Sequence, residues 1–505
     1  MSVFTSRSYL DYFRFLMAGV LGVAAICIVA TTYHWPLQWD AQVMHYINFL
    51  MDRGLAPYRE ITDMNMPGAY LTEGWAMRVF GGGDLAWRMY DFALMGLMCA
   101  SMVLIALPYD WVAGLFAGVM FGLAHVSEGP MFTGQRDEQM TALIVVGYAL
   151  LFEALRRRRP WMLVPFGLCL GMASAVKPTV APLGVVLLAM VWWTLRKRGE
   201  AAASYVWSGI AGAGIATAIV FEFLFHYHAA GAFFDISRRL TPYYAGLSHT
   251  SLKQMLRVSV PRAAVLMLPF GLVVAVADRQ WKNWERWALL LGVVFGAFSY
   301  FVQGKGYPYH RYALTVFLLL WLALELTLAM RKQGWVRVAG FAGMAMGVLI
   351  TVPMYVHRVL AIHPVNQYTE SLESDLTRLG GDQLQRKVQC LDMVDGCLNA
   401  LYHLKLVQNT GATGDVLFFV PGHNPVAEYY RNEFWDAIHR DPPSVIVLSN
   451  EWFDREKNFD KVNEWPKFAA YLTENYDLAA SRKFDREEGN AYRIYVRKGV
   501  VLPPL

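Results

Sequence analysis

The stretch RRRRPWMLVPFGLCLGMASAVKPTVAPLGVVLLAMVWWTLRKR, residues 156–198, sets two apolar runs between two clusters of cations. About 20 apolar residues cross ~30 Å of hydrocarbon, and each run approaches that length. Lys177-Pro178 between them marks a tight turn, because proline ends or kinks a helix. Arg156-Arg157-Arg158-Arg159 and Arg196-Lys197-Arg198 therefore fall on one side of a membrane. Cytoplasmic loops carry the excess of Lys and Arg, so that side is the cytosol. Lys177 is left on the opposite face.

The pattern continues in both directions. Apolar blocks lie near 14–33, 88–107, 111–127, 139–155, 160–176, 179–195, 204–227, 258–277, 286–302, 312–330 and 338–356. They predict a polytopic α-helical membrane protein of about eleven transmembrane helices. The 505 residues are 56% hydrophobic and 17% charged, whereas a soluble domain is about a quarter charged. A net charge of +5 offers no case for nucleic acid as a partner. Arg7 and Arg14 agree with a cytoplasmic N-terminus. The later inside loops carry Arg279, Lys282 and Arg286, then Arg331, Lys332 and Arg337. An odd number of crossings puts residues 357–505 outside. The chain is thus expected to be integral to the cytoplasmic (inner) membrane, its C-terminal domain periplasmic or extracellular. A cleaved signal peptide is the other reading of the first block, which is long and lacks a small-x-small site before Trp35.

Residues 357–505 are polar and alternate between strand and helix signals. Lys387–Met393, Asp415–Val420, Ser444–Ser449 and Tyr492–Arg497 are predicted strands, and Leu398–Gln408 and Val426–His439 predicted helices. They predict a small extracytoplasmic α/β domain after a membrane domain of residues 1–356. Cys390 and Cys397 lie in it, with a short-loop disulfide as one possible state in an oxidising compartment. No Cys/His array suggests zinc, and nothing in the sequence calls for a metal or another cofactor.

The first outside loop, 34–87, is long and rich in polar and aromatic residues. Trp39, Val43, Ile47 and Leu50 recur at helical spacing, as on an amphipathic helix lying in the membrane interface. Gly54 ends it. A second interfacial helix is predicted from Tyr70 to Phe80, stopped by Gly81-Gly82-Gly83. Asp40 starts the first helix, and Asp63 lies between the two in Pro57-Tyr58-Arg59-Glu60-Ile61-Thr62-Asp63. Two carboxylates at a membrane surface suit general-base work with a supporting partner; as single residues, solvated loop acids are the plainer reading.

Arg136, Asp137 and Glu138 open the fourth span, and Lys177 lies between two apolar helices where an ammonium can hold a phosphate. Snorkelling into headgroups is the competing account of all four. The loop Gln303-Gly304-Lys305-Gly306-Tyr307-Pro308-Tyr309-His310-Arg311-Tyr312 joins cations to tyrosines. Glycine lets backbone approach a ligand, Lys and Arg neutralise phosphate, and tyrosines stack on sugars while anchoring at the interface. An aromatic belt explains the tyrosines but not Lys305, His310 and Arg311 beside them. Arg238, Arg239, Tyr243, Tyr244, Glu222 and Asp91 are further candidates, for which snorkelling or helix pairing is the simpler account.

In these loops the sequence resembles the GT-C superfamily of glycosyltransferases, nearest to bacterial relatives of protein O-mannosyltransferases and of lipid A aminoarabinose transferases. The likeness runs through Trp39-Asp40, Pro57-Tyr58-Arg59, Asp63 before Pro67-Gly68, and Gly81-Gly82 with Asp84 before Arg88. It continues with Asp137, Lys177-Pro178 and the Gly-Lys-Gly…Tyr-His-Arg-Tyr loop, and covers most of residues 10–330. The chain departs from the pattern at Met66, where some relatives place a lysine before Pro-Pro. The resemblance implies transfer of a sugar from a polyprenyl phosphate to an acceptor hydroxyl outside the cytoplasm. It implies Asp40 as base, Asp63 assisting, and Lys177, Lys305, His310 and Arg311 holding the lipid phosphate. Arg59, Arg136, Asp137, Glu138, Tyr307 and Tyr309 would then line the substrate site. Lipid, glycan and protein all stay open as acceptors, and membrane lipids are partners by topology. The rival is a transporter or flippase of lipid-linked saccharides, which would bind at the bilayer midplane. The unusual polar residues sit instead in the outside loops.

Overall fold

A computed structural model describes residues 4–247, 249–278, 283–392, 394–451, 457–487 and 489–505. Arg279, Lys282 and Met393, all named above, lie outside the described residues. Among the described residues, eight helices are long and apolar enough to cross a membrane. The pair Leu252–Val258 and Arg262–Ala277, bent by 81° at its break, makes a ninth if counted as one. Trp111–Val126 and Pro160–Val176 are shorter apolar helices. Together these elements match the eleven predicted blocks one for one, in a multi-pass membrane protein.

Small residues let the helices pack at backbone distance. A Cβ on Gly167 would lie 1.9 Å from the Gly209 carbonyl oxygen, and one on Gly212 1.9 Å from that of Val164. Pro160–Val176 and Ala202–His226 therefore meet through a small-residue seam, the usual way to gain dispersion contact where no water drives association. Trp111–Val126 meets Asp84–Ala106 in the same fashion at Gly114 and Gly118.

One end of the bundle is tied by ion pairs. Asp110 accepts from Arg14 at 2.8 Å and Arg331 at 3.1 Å. Glu285 accepts from Arg156 at 2.7 Å and from the Tyr109 hydroxyl. These are the cations that the positive-inside reading assigns to the cytosol.

At the other end sits the C-terminal domain, a four-stranded sheet of β1 (Val388–Leu391), β2 (Val445–Ser449), β3 (Tyr476–Phe484) and β4 (Asn490–Arg497), ordered β1-β2-β4-β3. β1 and β2 are parallel, and the remaining pairs antiparallel. Cys390 and Cys397 are disulfide-bonded. Asp415–Val420, predicted as a strand, is a series of turns whose end packs on Phe434, Trp465 and Phe468 of the same domain. β3 was not predicted; it is an edge strand exposed on both faces, so it lacks a burial alternation.

The helix Asp40–Asp52 corrects one expectation. It is buried along nearly its whole length, from Ala41 to Met51. Met44, Tyr46, Ile47 and Leu50 share one apolar core with Leu372, Val388, Leu401 and Phe418 of the C-terminal domain. The Tyr46 hydroxyl donates to the Leu406 carbonyl at 3.1 Å and accepts from the Gln408 amide at 2.7 Å. The apolar stripe of this helix is covered by the C-terminal domain.

Candidate active site

Between the bundle end and the C-terminal domain lies a cavity of about 660 Å³, within the range of small-molecule sites. The sequence-predicted residues that reach it come from five chain segments. Asp40 is the first residue of its helix, and Trp39 before it has φ 54° and ψ −134°. A bulky residue there costs roughly 1–3 kcal/mol and persists only where its surroundings impose it. Asp63 comes from the connection between the first-loop helices. Its Oδ2 accepts from Asn65 Nδ2 at 2.6 Å, from the Asn65 amide and from the Tyr70 hydroxyl. Burial and the Asp63 charge hold the Tyr70 phenol well above its ordinary pKa, so it stays a donor.

Arg136 and Asp137 occupy the first turn of the helix Arg136–Arg156, and Lys177 the break between two helices. Arg136 Nη2 lies 2.6 Å from Asp40 Oδ2. Lys177 Nζ lies 2.7 Å from both carboxylate oxygens of Asp137 and 2.6 Å from Gln303 Oε1. Burial pulls the Lys177 pKa below the lysine value; Asp137 opposes this and Arg136 adds to it. Lys305 is lowered too, by burial, then by Lys177 and Arg136.

The loop after Gln303 turns through Gly304 at φ 66° and Gly306 at φ 70°, left-handed values natural to glycine. Thr250 pins it, its amide donating to the Gly304 carbonyl and its hydroxyl to that of Lys305, each at 2.8 Å. Lys305 Nζ then lies 5.5 Å above the Tyr244 ring. Tyr307 and Tyr309 stack with centroids 5.5 Å apart, and Tyr309 continues through Phe132 to Trp39. His310 is buried on the cavity wall with its Nδ1 unpaired.

Nine of the twelve candidate site residues thus border one cavity: Asp40, Asp63, Arg136, Asp137, Lys177, Lys305, Tyr307, Tyr309 and His310. Three do not. Arg59 is half exposed beside Glu60. Arg311 turns away to Glu128 at 2.5 Å and to the Val258 carbonyl. Glu138 points into the bundle, where it and Asp91 accept from the Gly134 amide at 3.0 and 2.8 Å. With His125 these two carboxylates bring ligand-type atoms within 4.8 Å of one another. Arg88, 2.7 Å from Asp91, and the Gly134 N–H already supply positive charge there, so the set fits a buried hydrogen-bond network better than a metal. Of the further candidates, Tyr244 borders the cavity, while Arg239 pairs with Asp235 at 2.9 Å.

Several lining groups escaped the sequence reading. Gln303 had a signal, its place beside Gly304-Lys305. Glu73, which does not line the cavity, accepts from Gln139 Nε2 at 3.1 Å, and burial drives its carboxyl well above the usual range. The wall formed by Thr410–Phe418, Glu433, Phe434 and Glu451 of the C-terminal domain exists only in three dimensions. It is docked on the first loop: the Thr62 amide donates to the Gly411 carbonyl at 2.8 Å, and the Thr413 hydroxyl to that of Thr62 at 3.0 Å.

A helical bundle followed by a C-terminal domain is the fold that this chain shares with solved structures of ArnT and of an archaeal oligosaccharyltransferase. Among solved structures, ArnT from Cupriavidus metallidurans bound to undecaprenyl phosphate matches 94% of this chain and 97% of its own, at TM-score 0.54 and 12% identity. The Archaeoglobus fulgidus oligosaccharyltransferase tethered with an acceptor peptide matches 97% of this chain and 76% of its own, at TM-score 0.56 and 12% identity. The archaeal oligosaccharyltransferase AglB from Archaeoglobus fulgidus, with an inhibitory peptide and a dolichol-phosphate, matches 87% and 70%, at TM-score 0.54 and 12% identity. No family model and no curated protein matches the sequence.

Proposed function

We propose that the chain is a glycosyltransferase that moves a sugar from a polyprenyl-phosphate carrier to an acceptor hydroxyl. The site faces the non-cytoplasmic side of the cytoplasmic membrane, opposite the end tied by Arg14, Arg156 and Arg331. The observation that carries this reading is the meeting of Asp40 and Asp63 with Lys177 and Lys305 in one cavity at the end of an apolar bundle. Asp40 takes the acceptor proton as the oxygen attacks the anomeric carbon. The bond from that carbon to the phosphate oxygen breaks, and its electron pair stays on the phosphate. Lys177 and Lys305 stabilise this charge as fixed cations aimed at the departing phosphate. His310 lies within the same wall, and Asp63, held by Asn65 and Tyr70, positions the acceptor. The isoprenoid tail stays in the bilayer throughout. Tyr307, Tyr309 and Trp39 offer the sugar an aromatic surface. Structures of the same fold bound to undecaprenyl phosphate and dolichol-phosphate support the donor class. The C-terminal wall supports acceptor selection by that domain, whether the acceptor is lipid, glycan or protein.

Protein reconstituted in liposomes, supplied with a polyprenyl-phosphate monosaccharide and a mixed set of hydroxyl acceptors, tests this. Release of polyprenyl phosphate coupled to a glycosylated product is expected. Transfer from a nucleotide sugar, or movement of the lipid across the bilayer without transfer, would overturn the reading.

A further inference from the structure

Lys177 meets an incoming phosphate with its bonding already complete. An ammonium has three N–H donors, and three short contacts surround Nζ: the two Asp137 oxygens and Gln303 Oε1. A phosphate oxygen can reach Nζ only by replacing one of them. Displacing the neutral Gln303 amide would crowd two anions on one half-buried cation. Displacing Asp137 exchanges charge for charge, so the ammonium stays neutralised away from bulk water.

On the donor reading given above, we infer that Asp137 is an internal surrogate for the lipid phosphate. It holds Lys177 when the site is empty and leaves when the donor arrives. Its side chain is 2% exposed and Lys177's 21%, so the pair opens toward the cavity on the lysine side, the side from which a ligand comes. Asp137 is on this account a gating residue, competing with the substrate rather than recognising it.

Binding of undecaprenyl phosphate to the full-length protein in detergent tests this. Asp137→Asn, which keeps the shape and removes the charge, is expected to bind about tenfold tighter than wild type, as a buried competing anion is lost. Lys177→Met is expected to bind more weakly, and adding Asp137→Asn to it to bring no further gain. Wild type that binds while Asp137→Asn binds no tighter overturns the inference and leaves the donor reading standing. Wild type that binds no undecaprenyl phosphate overturns both. Should Asp137→Asn not fold, the wild-type protein decides. A carboxylate-band shift in the infrared difference spectrum on adding undecaprenyl phosphate supports the exchange, and its absence overturns it.

Discussion

Asp110 at one end of the bundle and Asp137 at the other are both almost fully buried acceptors of basic side chains. Asp110 takes Arg14 and Arg331, caps the helix Trp111–Val126 through the Val112 amide, and borders no described cavity. Asp137 takes Lys177 beside about 660 Å³ of open space. The chemistry of the two pairs is alike, and what distinguishes them is the cavity beside Asp137. A pair away from the cavity holds the fold, and breaking it leaves an uncompensated charge. On the inference above, a pair beside the cavity exchanges its anion.

The comparison makes unequal predictions for transfer. Asp40→Asn should lower turnover in liposomes by about 10³-fold, within the range for a general base. Expression and thermal stability should be unchanged; wild-type turnover would remove Asp40 from the base role. Lys177→Met should cost about 10²-fold in kcat/KM for the donor, as for loss of one fixed charge at a developing anion. A rise in acceptor KM alone would contradict this.

Acidity gives the next contrast. Lys177 and Lys305 both lie below the ordinary lysine value of 10.5. Rising pH neutralises them early, so donor kcat/KM should fall about tenfold per unit on an alkaline limb that begins below that value. A profile still flat at pH 10.5 would mean that neither ammonium is needed. The smallest effect on transfer belongs to Asp110→Ala. It should lower stability by about 2 kcal/mol, between exposed and buried pairs because Arg331 is well exposed. Thermal denaturation in detergent should record that loss while kcat/KM changes less than about twofold. A large loss of transfer without destabilisation would erase the distinction between the two ends.

Much of this was legible in the sequence because bilayers impose one-dimensional rules. Length and apolarity mark each helix. Residues that border the cavity were legible where their types were improbable for a spacer, as at Lys177 and Lys305. Side-chain direction was not. His310 and Arg311 are neighbours in one short turn, Pro308–Arg311, yet one faces the cavity and the other Glu128. Glu138 follows Asp137 directly and points the other way, since successive helical residues are about 100° apart. Asp415–Val420 reads as a strand by composition, but Val416, Leu417 and Phe418 bury themselves against the cavity and core instead of in a sheet. The amphipathic stripe of Trp39–Leu50 was read rightly as a helix, but a stripe does not say whether lipid or protein covers it.

Native mass spectrometry of lipid carried through purification tests the central claim most directly. Wild type should carry a polyprenyl phosphate or its glycosylated form, and Lys177→Met should lose it while keeping its bulk phospholipid. Phosphate-linked isoprenoid absent from wild type, or retained undiminished in Lys177→Met, would contradict the placement of the donor in this cavity.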